Sequence, residues 1–417
     1  MTAAQVKQQA LDILVEDLSG SLWVAAIEKN NRIAALEIDP FTELVRWGSI
    51  YWAKVERIDS NINAAFVDMG YDIKGMLPAS EIPSLPKGSK IGKKLRTGQY
   101  VMVQVKTARQ PLEDDEDASA RPESAKVSKV SMDIALQGRY LIYTPLSPGN
   151  RISRRIKDAA VRKQLSAMVK DIKEVNGCIL RASAASIQTD MLVREAKIQK
   201  AIWDSLQEFT AEPEPALLML GPDALQRVLA DFSTSRISTV QIADDERRAE
   251  ADNWCDLYAP ELMAKLQDRK VTGTRNGMGL FEARDLLGQI EGFVRPYVIL
   301  PSGGTIVIQE TSIGTMIDVN TAAASSTATV NHEAASEIAR QIRLRNLGGA
   351  ILVDFAGLND KAEQKRLSAA LIKAFDLDPC TVELHGVTKL GLFEISRHRR
   401  TPSLMERVEL MQGQAEG

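Results

Sequence analysis

The sequence predicts a multidomain protein of mixed α/β and β class, with a small closed β-barrel in its first third and an α/β layer in its last. Three observations carry this. Short alternating runs punctuated by Gly and Pro recur between residues 48 and 105, as in barrels made of many short strands. From residue 280 onward, strand-like runs alternate with helical periodicity, the pattern of a central sheet with helices packed on it. Within that region, Met316-Ile317-Asp318-Val319-Asn320 and Ile351-Leu352-Val353-Asp354-Phe355 each set one carboxylate inside an apolar run.

Taken in chain order, residues 21–37 alternate as a hairpin does. Strands follow at Gly48–Val55, Ala64–Gly70, Lys74–Pro78 and Tyr100–Val105. This succession resembles the S1-type oligonucleotide-binding barrel. Residues 109–124 interrupt it with Gln110-Pro111-Leu112, then acids, Ala, Ser and Pro, a composition that suits a mobile surface loop. Pairing resumes over Val127–Ala135. Segment 139–212 combines a strand at Tyr140–Tyr143, a basic stretch, and helical periodicity over Ile187–Phe209. The next segment reads as strand (Leu217–Leu220), short helix (Asp223–Leu229) and strand (Ser238–Ile242).

The last region is the most regular. A helix is expected over Leu280–Glu291 and a turn at Leu300-Pro301-Ser302-Gly303-Gly304. Thr305–Ile308 and Thr315–Val319 form a hairpin. Glu333–Arg345 is an amphipathic helix with Ala335, Ile338 and Ile342 on one face, ended by Gly348-Gly349. Ala350–Phe355 is a buried strand, Lys361–Phe375 a helix with Leu367, Leu371 and Ala374 inward, and Thr381–Leu384 a strand.

A carboxylate buried on a core strand is costly unless a partner or metal compensates it. One such Asp reads best as a helix cap or strand end. Two, on two strands of one small fold, suggest carboxylates converging on a hard cation, with Asn320 one pleat-repeat from Asp318 on the same face. A Mg²⁺ ion held that way suits phosphodiester hydrolysis.

Composition bounds the alternatives. The 417 residues suffice for two or three domains, and 44% hydrophobic with 26% charged content is ordinary for a globular protein. No apolar run approaches the ~18 residues of a membrane span, and the first residues lack a signal-peptide pattern, so a cytoplasmic location and no membrane partner are expected. Cys178, Cys255 and Cys380 are far apart, and so are His332, His385 and His398, which argues against a disulfide framework or a Cys- or His-rich zinc site. The net charge of −3 argues against a general nucleic-acid coat, yet Arg151–Lys163 and Arg397–Arg400 are strongly basic and Glu113–Asp117 is acidic.

Several long motifs resemble the ribonuclease E/G family. They are Leu300-Pro301-Ser302-Gly303-Gly304, Ile317-Asp318-Val319-Asn320, Glu337 through Arg345, Leu347-Gly348-Gly349, Val353-Asp354-Phe355 and Gly391 through Arg397, with Ala65-Phe66-Val67-Asp68 and Ile152-Ser153-Arg154-Arg155-Ile156 upstream. The resemblance implies a Mg²⁺-dependent endoribonuclease, with Mn²⁺ as an alternative ion, that cuts single-stranded, A/U-rich RNA and leaves a 5′-phosphate and a 3′-hydroxyl in RNA processing or decay. It implies a ribonuclease-H-like part from 1–45 with 213–285, an S1-type OB-fold barrel over 46–135 and a 5′-end sensor over 136–212. A deoxyribonuclease-I-like catalytic domain over 286–403 and a tail over 404–417 complete it.

By motif, Asp318 and Asp354 hold the metal and Asn320 supports them, while Phe66, Lys126, Arg154, Arg155 and Arg181 contact RNA. The chain departs from the family pattern at four places. No Cys-Pro-x-Cys run follows Pro402-Ser403-Leu404, so no zinc is expected and any homo-oligomer would not be zinc-linked. Ala182 and Thr381 replace donors of the 5′-phosphate pocket, Met76 replaces a channel aromatic, and Gly357 replaces an Asp beyond the metal site. A non-catalytic RNA-binding relative is the alternative; the intact acid pair argues against it.

Overall fold

The computed structural model describes residues 10–108, 127–154, 156, 158–209, 214–268, 278–311, 313–322, 324, 326–358 and 360–415. The expected loop 109–124, Lys126 and Arg155 lie outside the described residues. The chain divides into two compact units, residues 1–30 with 37–273 and residues 31–36 with 274–417.

The first unit opens with β1 (Leu11–Leu18), β2 (Ser21–Glu28) and β3 (Ile33–Pro40), the last divided between the units. The barrel strands follow: β4 (Ile50–Asp59), β5 (Ala64–Asp68), β6 (Lys74–Pro78), β7 (Tyr100–Thr107) and β8 (Ser128–Ser131). Next come β9 (Leu136–Gln137), β10 (Leu141–Tyr143), β11 (Arg151–Ile152), α1 (Ala159–Asp171), β12 (Cys178–Leu180) and α2 (Thr189–Glu208). The unit closes with β13 (Ala216–Met219), α3 (Ala224–Asp231), β14 (Ile237–Ile242), α4 (Asp245–Tyr258) and β15 (Leu266–Asp268).

The expected closed barrel is present. Its strands run β4-β5-β6-β8-β7, and β7 pairs back onto β4. Alternation decides which side chains fill it: Tyr51, Ala53, Val55, Val67, Leu77, Val103 and Val105 point inward and are buried. A second sheet has the order β15-β14-β1-β2-β3, with β1 antiparallel to β2 and parallel to β14. Strands more than two hundred residues apart thus share one sheet. Arg227 of α3, 1% exposed, is neutralised there by Asp39 at 2.6 Å and Glu37 at 2.8 Å, as a buried cation requires.

Residues 136–208 form a small sheet, β11-β12-β10-β9, with α1 and α2. Glu195 of α2 is buried and accepts the backbone N–H groups of Arg139 (2.6 Å), Tyr140 (3.0 Å) and Leu141 (2.8 Å). A Cβ at Gly138 would stand 2.6 Å from Glu195 Oε1, so glycine is needed for this approach. Buried Arg139 pairs with Glu261 at 3.0 Å and donates to Thr234 at 2.8 Å.

The second unit contains α5 (Leu280–Ala283), α6 (Leu286–Val294), β16 (Tyr297–Ile299), β17 (Thr305–Glu310), β18 (Gly314–Asn320), α7 (Thr327–Leu344), β19 (Gly349–Asp354), α8 (Lys361–Phe375), β20 (Val382–Val387), β21 (Phe393–Arg397) and α9 (Leu404–Ala415). The single helix expected over Leu280–Glu291 is two, because Asp285 takes a left-handed φ of 49° and breaks it. The segment expected as a tail carries α9, which begins on buried Leu404. The sheet order is β16-β17-β18-β19-β21-β20. Ile306, Ile317, Val319, Ile351, Val353 and Ile395 pack against Val330, Ala334, Ile338, Leu367 and Leu371 of α7 and α8.

Candidate active site

β18 and β19 run parallel, joined through α7, and their register sets Asp318 directly opposite Asp354. Ser326 caps α7 by accepting the Thr329 N–H. In β18 the odd positions Thr315, Ile317 and Val319 are buried against the helices, whereas Met316, Asp318 and Asn320 are exposed. In β19, Ile351 and Val353 are buried and Asp354 is exposed.

This corrects the expectation that both carboxylates are buried. Helices cover one face of this sheet, and strict alternation turns the two Asp side chains to the other face. Desolvation therefore is not what needs compensating. Like-charge proximity is: neighbouring strands lie ~4.8 Å apart, and two carboxylates at about that distance repel by roughly 1 kcal/mol even in water. A cation between them relieves this.

The local geometry keeps the acids ready. Asn320 Nδ2 donates to Asp318 Oδ2 at 2.7 Å, which fixes one oxygen and leaves the other open. Buried Asn331 of α7 donates to the Ala356 carbonyl at 2.8 Å, pinning the chain just past Asp354. The Leu300–Gly304 turn closes through Leu300 N–H to Gly304 O at 2.8 Å. A Cβ on Gly304 would meet Val330 at 2.8 Å and the Asn320 carbonyl at 3.0 Å, so this glycine lets the turn sit against the site.

Among the described residues, no group of three or more His, Cys, Asp or Glu could hold a metal. Two carboxylates with an amide beside them are nonetheless a suitable set for Mg²⁺, which keeps waters and takes the rest of its ligands from a substrate phosphate.

On the barrel, Phe66 is half-buried and lies outside the buried core cluster. The register places it beside Arg57 on one side and Met76 on the other, and Lys129 lies beyond Met76. The Arg57 guanidinium lies 4.3 Å from the Phe66 ring centroid. Only strand pairing aligns Arg57 and Lys129 with Phe66, and Lys129 is held by Glu81 at 2.7 Å.

Arg154 is exposed in a turn before α1. Arg181 is engaged internally: it pairs with Asp231 at 2.9 Å and donates to the Ala230 carbonyl at 3.0 Å. Arg397 is buried against Asp378 at 2.9 Å and Arg399 pairs with Glu406 at 2.7 Å, so part of the second basic run serves the fold.

Residues 135–400 match the ribonuclease E/G family and residues 45–110 match the S1 RNA binding domain. The chain belongs to the ribonuclease E/G family. Membership makes it an endoribonuclease with an S1-type RNA-binding barrel. It is 30% identical to Ribonuclease G of Salmonella typhimurium over 377 residues, 86% of this chain and 73% of that protein, and the same figures hold for Ribonuclease G of Escherichia coli strain K12. Ribonuclease E of Synechocystis sp. is 29% identical over 400 residues, which are 92% of this chain and 56% of that protein. No described helix is long and apolar enough to cross a membrane.

Proposed function

We propose that this endoribonuclease cleaves single-stranded, A/U-rich RNA with Mg²⁺ and leaves a 5′-phosphate and a 3′-hydroxyl, in RNA processing or decay. The observation that carries the reading is the in-register pairing of Asp318 with Asp354 on the open face of the sheet.

When bound, Mg²⁺ lowers the pKa of a bound water and offsets charge on the phosphoryl oxygens. Asp318 and Asp354 would hold it. Asn320 orients Asp318, and Asn331 holds the backbone that carries Asp354. Phe66 offers a stacking face to a base, with the exposed Arg57 guanidinium beside its ring; such stacking is worth roughly 1–3 kcal/mol per base. Zinc has no part in this reading, because the cysteines are dispersed and the Cys-Pro-x-Cys run is missing.

A 5′-labelled single-stranded oligonucleotide should be cut internally with Mg²⁺ and left intact with EDTA, and readdition of Mg²⁺ should restore cleavage. Full cleavage in EDTA would refute the metal assignment. Cleavage of a duplex as fast as the single strand would refute the substrate class.

A further inference from the structure

Strand pairing extends the aspartate row outward in a direction that the reaction above does not use. Tyr297 of β16 lies opposite Val307, Val307 opposite Asp318, and Asp318 opposite Asp354. Paired residues in neighbouring strands project to the same face, so these four form one line across four strands. The next line runs Ile299, Thr305, Asn320.

Tyr297 is 50% exposed and Ile299 69%, both on the edge strand β16. Large apolar groups along an edge strand are a liability in water and invite unwanted pairing. Their position in the sheet that carries two open carboxylates suits an occupant that covers both. Two strand spacings, roughly 10 Å, separate the backbones of Tyr297 and Asp318. A phosphate on the aspartates would leave the sugar and base of an adjoining nucleotide over this apolar end of the row. An aromatic ring receives any base there, since every base has a π face.

We propose that Tyr297 is a stacking platform for a nucleobase next to the scissile phosphate, flanked by Ile299 on its own strand, and that it biases which bond is cut. The inference rests on the assignment of Asp318 and Asp354 as the cleavage site.

The test uses the full chain and single-stranded RNAs in which each nucleotide near the cleaved bond is made abasic in turn. The wild-type kcat/KM should fall about tenfold at one position. Tyr297→Ala should be about tenfold slower on intact RNA and indifferent to that position, while Tyr297→Phe and Tyr297→Trp keep the wild-type profile. Should Tyr297→Ala fail to fold, Tyr297→Leu replaces it, filling the space without a π face. An unchanged abasic profile in the Ala or Leu variant overturns the proposal. So does a variant that alters sedimentation with the profile unchanged, which would assign the ring to contact between copies. Asp354→Asn separates the two readings. If it cleaves normally, the site assignment fails; if it is inactive while Tyr297→Ala keeps the profile, the platform alone fails.

Discussion

Asp318 and Asp354 stand exposed, side by side, on an open sheet face, whereas Arg139, Glu195, Arg181 and Asp231 in the first unit are drawn into pairs and backbone contacts. Both regions are dense in charge. In the first unit, opposite charges meet each other and backbone donors, so the interaction is used up in holding elements together. At the aspartate row, like charges meet, and among the described residues the Asn320 amide steadies Asp318. Charge density alone does not mark a site; charge whose partner must come from outside does.

Removing one member of the row should give the largest effect on activity. Asp318→Asn or Asp354→Asn should lower cleavage about a thousandfold, as loss of several kcal/mol of charge stabilisation implies, while melting temperature and RNA binding stay near wild type because both side chains are exposed. Single-turnover cleavage with a parallel filter-binding assay decides this, and activity within about tenfold of wild type in either variant would end the assignment.

Arg139→Met should do the reverse. Loss of one partner from a buried pair costs about 3–5 kcal/mol of stability, read as a lower midpoint in urea. A variant as stable as wild type would mean the buried network of the first unit holds nothing together.

A third measurement separates the two regions by pH. Burial pushes the Glu195 carboxyl up to about 7, against the three backbone N–H groups that favour its charged form. In the unfolded chain a glutamate titrates near ~4.3. Between those values the folded state binds the extra proton, so Glu195 contributes a loss of stability as pH rises from about 4.3 to about 7 and none of the pH dependence outside that window. Thermal melts at pH 5.5 and 7.5 should therefore differ less in Glu195→Gln than in wild type, with both variants compared in the same buffers. Parallel curves would refute the assignment.

The smallest effect is expected at the RNA 5′ end. Arg181 is occupied by Asp231, and Ala182 stands next to it where the family resemblance implies a second donor. Hydrogen bonds to charged groups are worth roughly 1.5–3 kcal/mol each, so their loss should reduce the preference for a 5′-monophosphate over a 5′-hydroxyl to a few-fold. Asp231→Asn should raise it by freeing Arg181. Matched oligonucleotides give the ratio, and a wild-type preference well above tenfold would mean that a phosphate displaces Asp231.

The sequence by itself determined a good deal. Alternation of period two and the Gly and Pro breaks were enough for the barrel, because those signals are local. The apolar runs around Asp318 and Asp354, with a helix between them, were enough to set each acid on a strand and Asn320 on the same face as Asp318. The side of the sheet on which the acids stand was not legible, since alternation separates two faces without saying which one the helices will cover. Nor could the sequence pair Arg57 and Lys129 with Phe66, Asp231 with Arg181, or Tyr297 with the aspartate row. Each of those depends on strand register or on contacts between segments distant in the chain, and register is decided by which hydrophobic faces finally pack together.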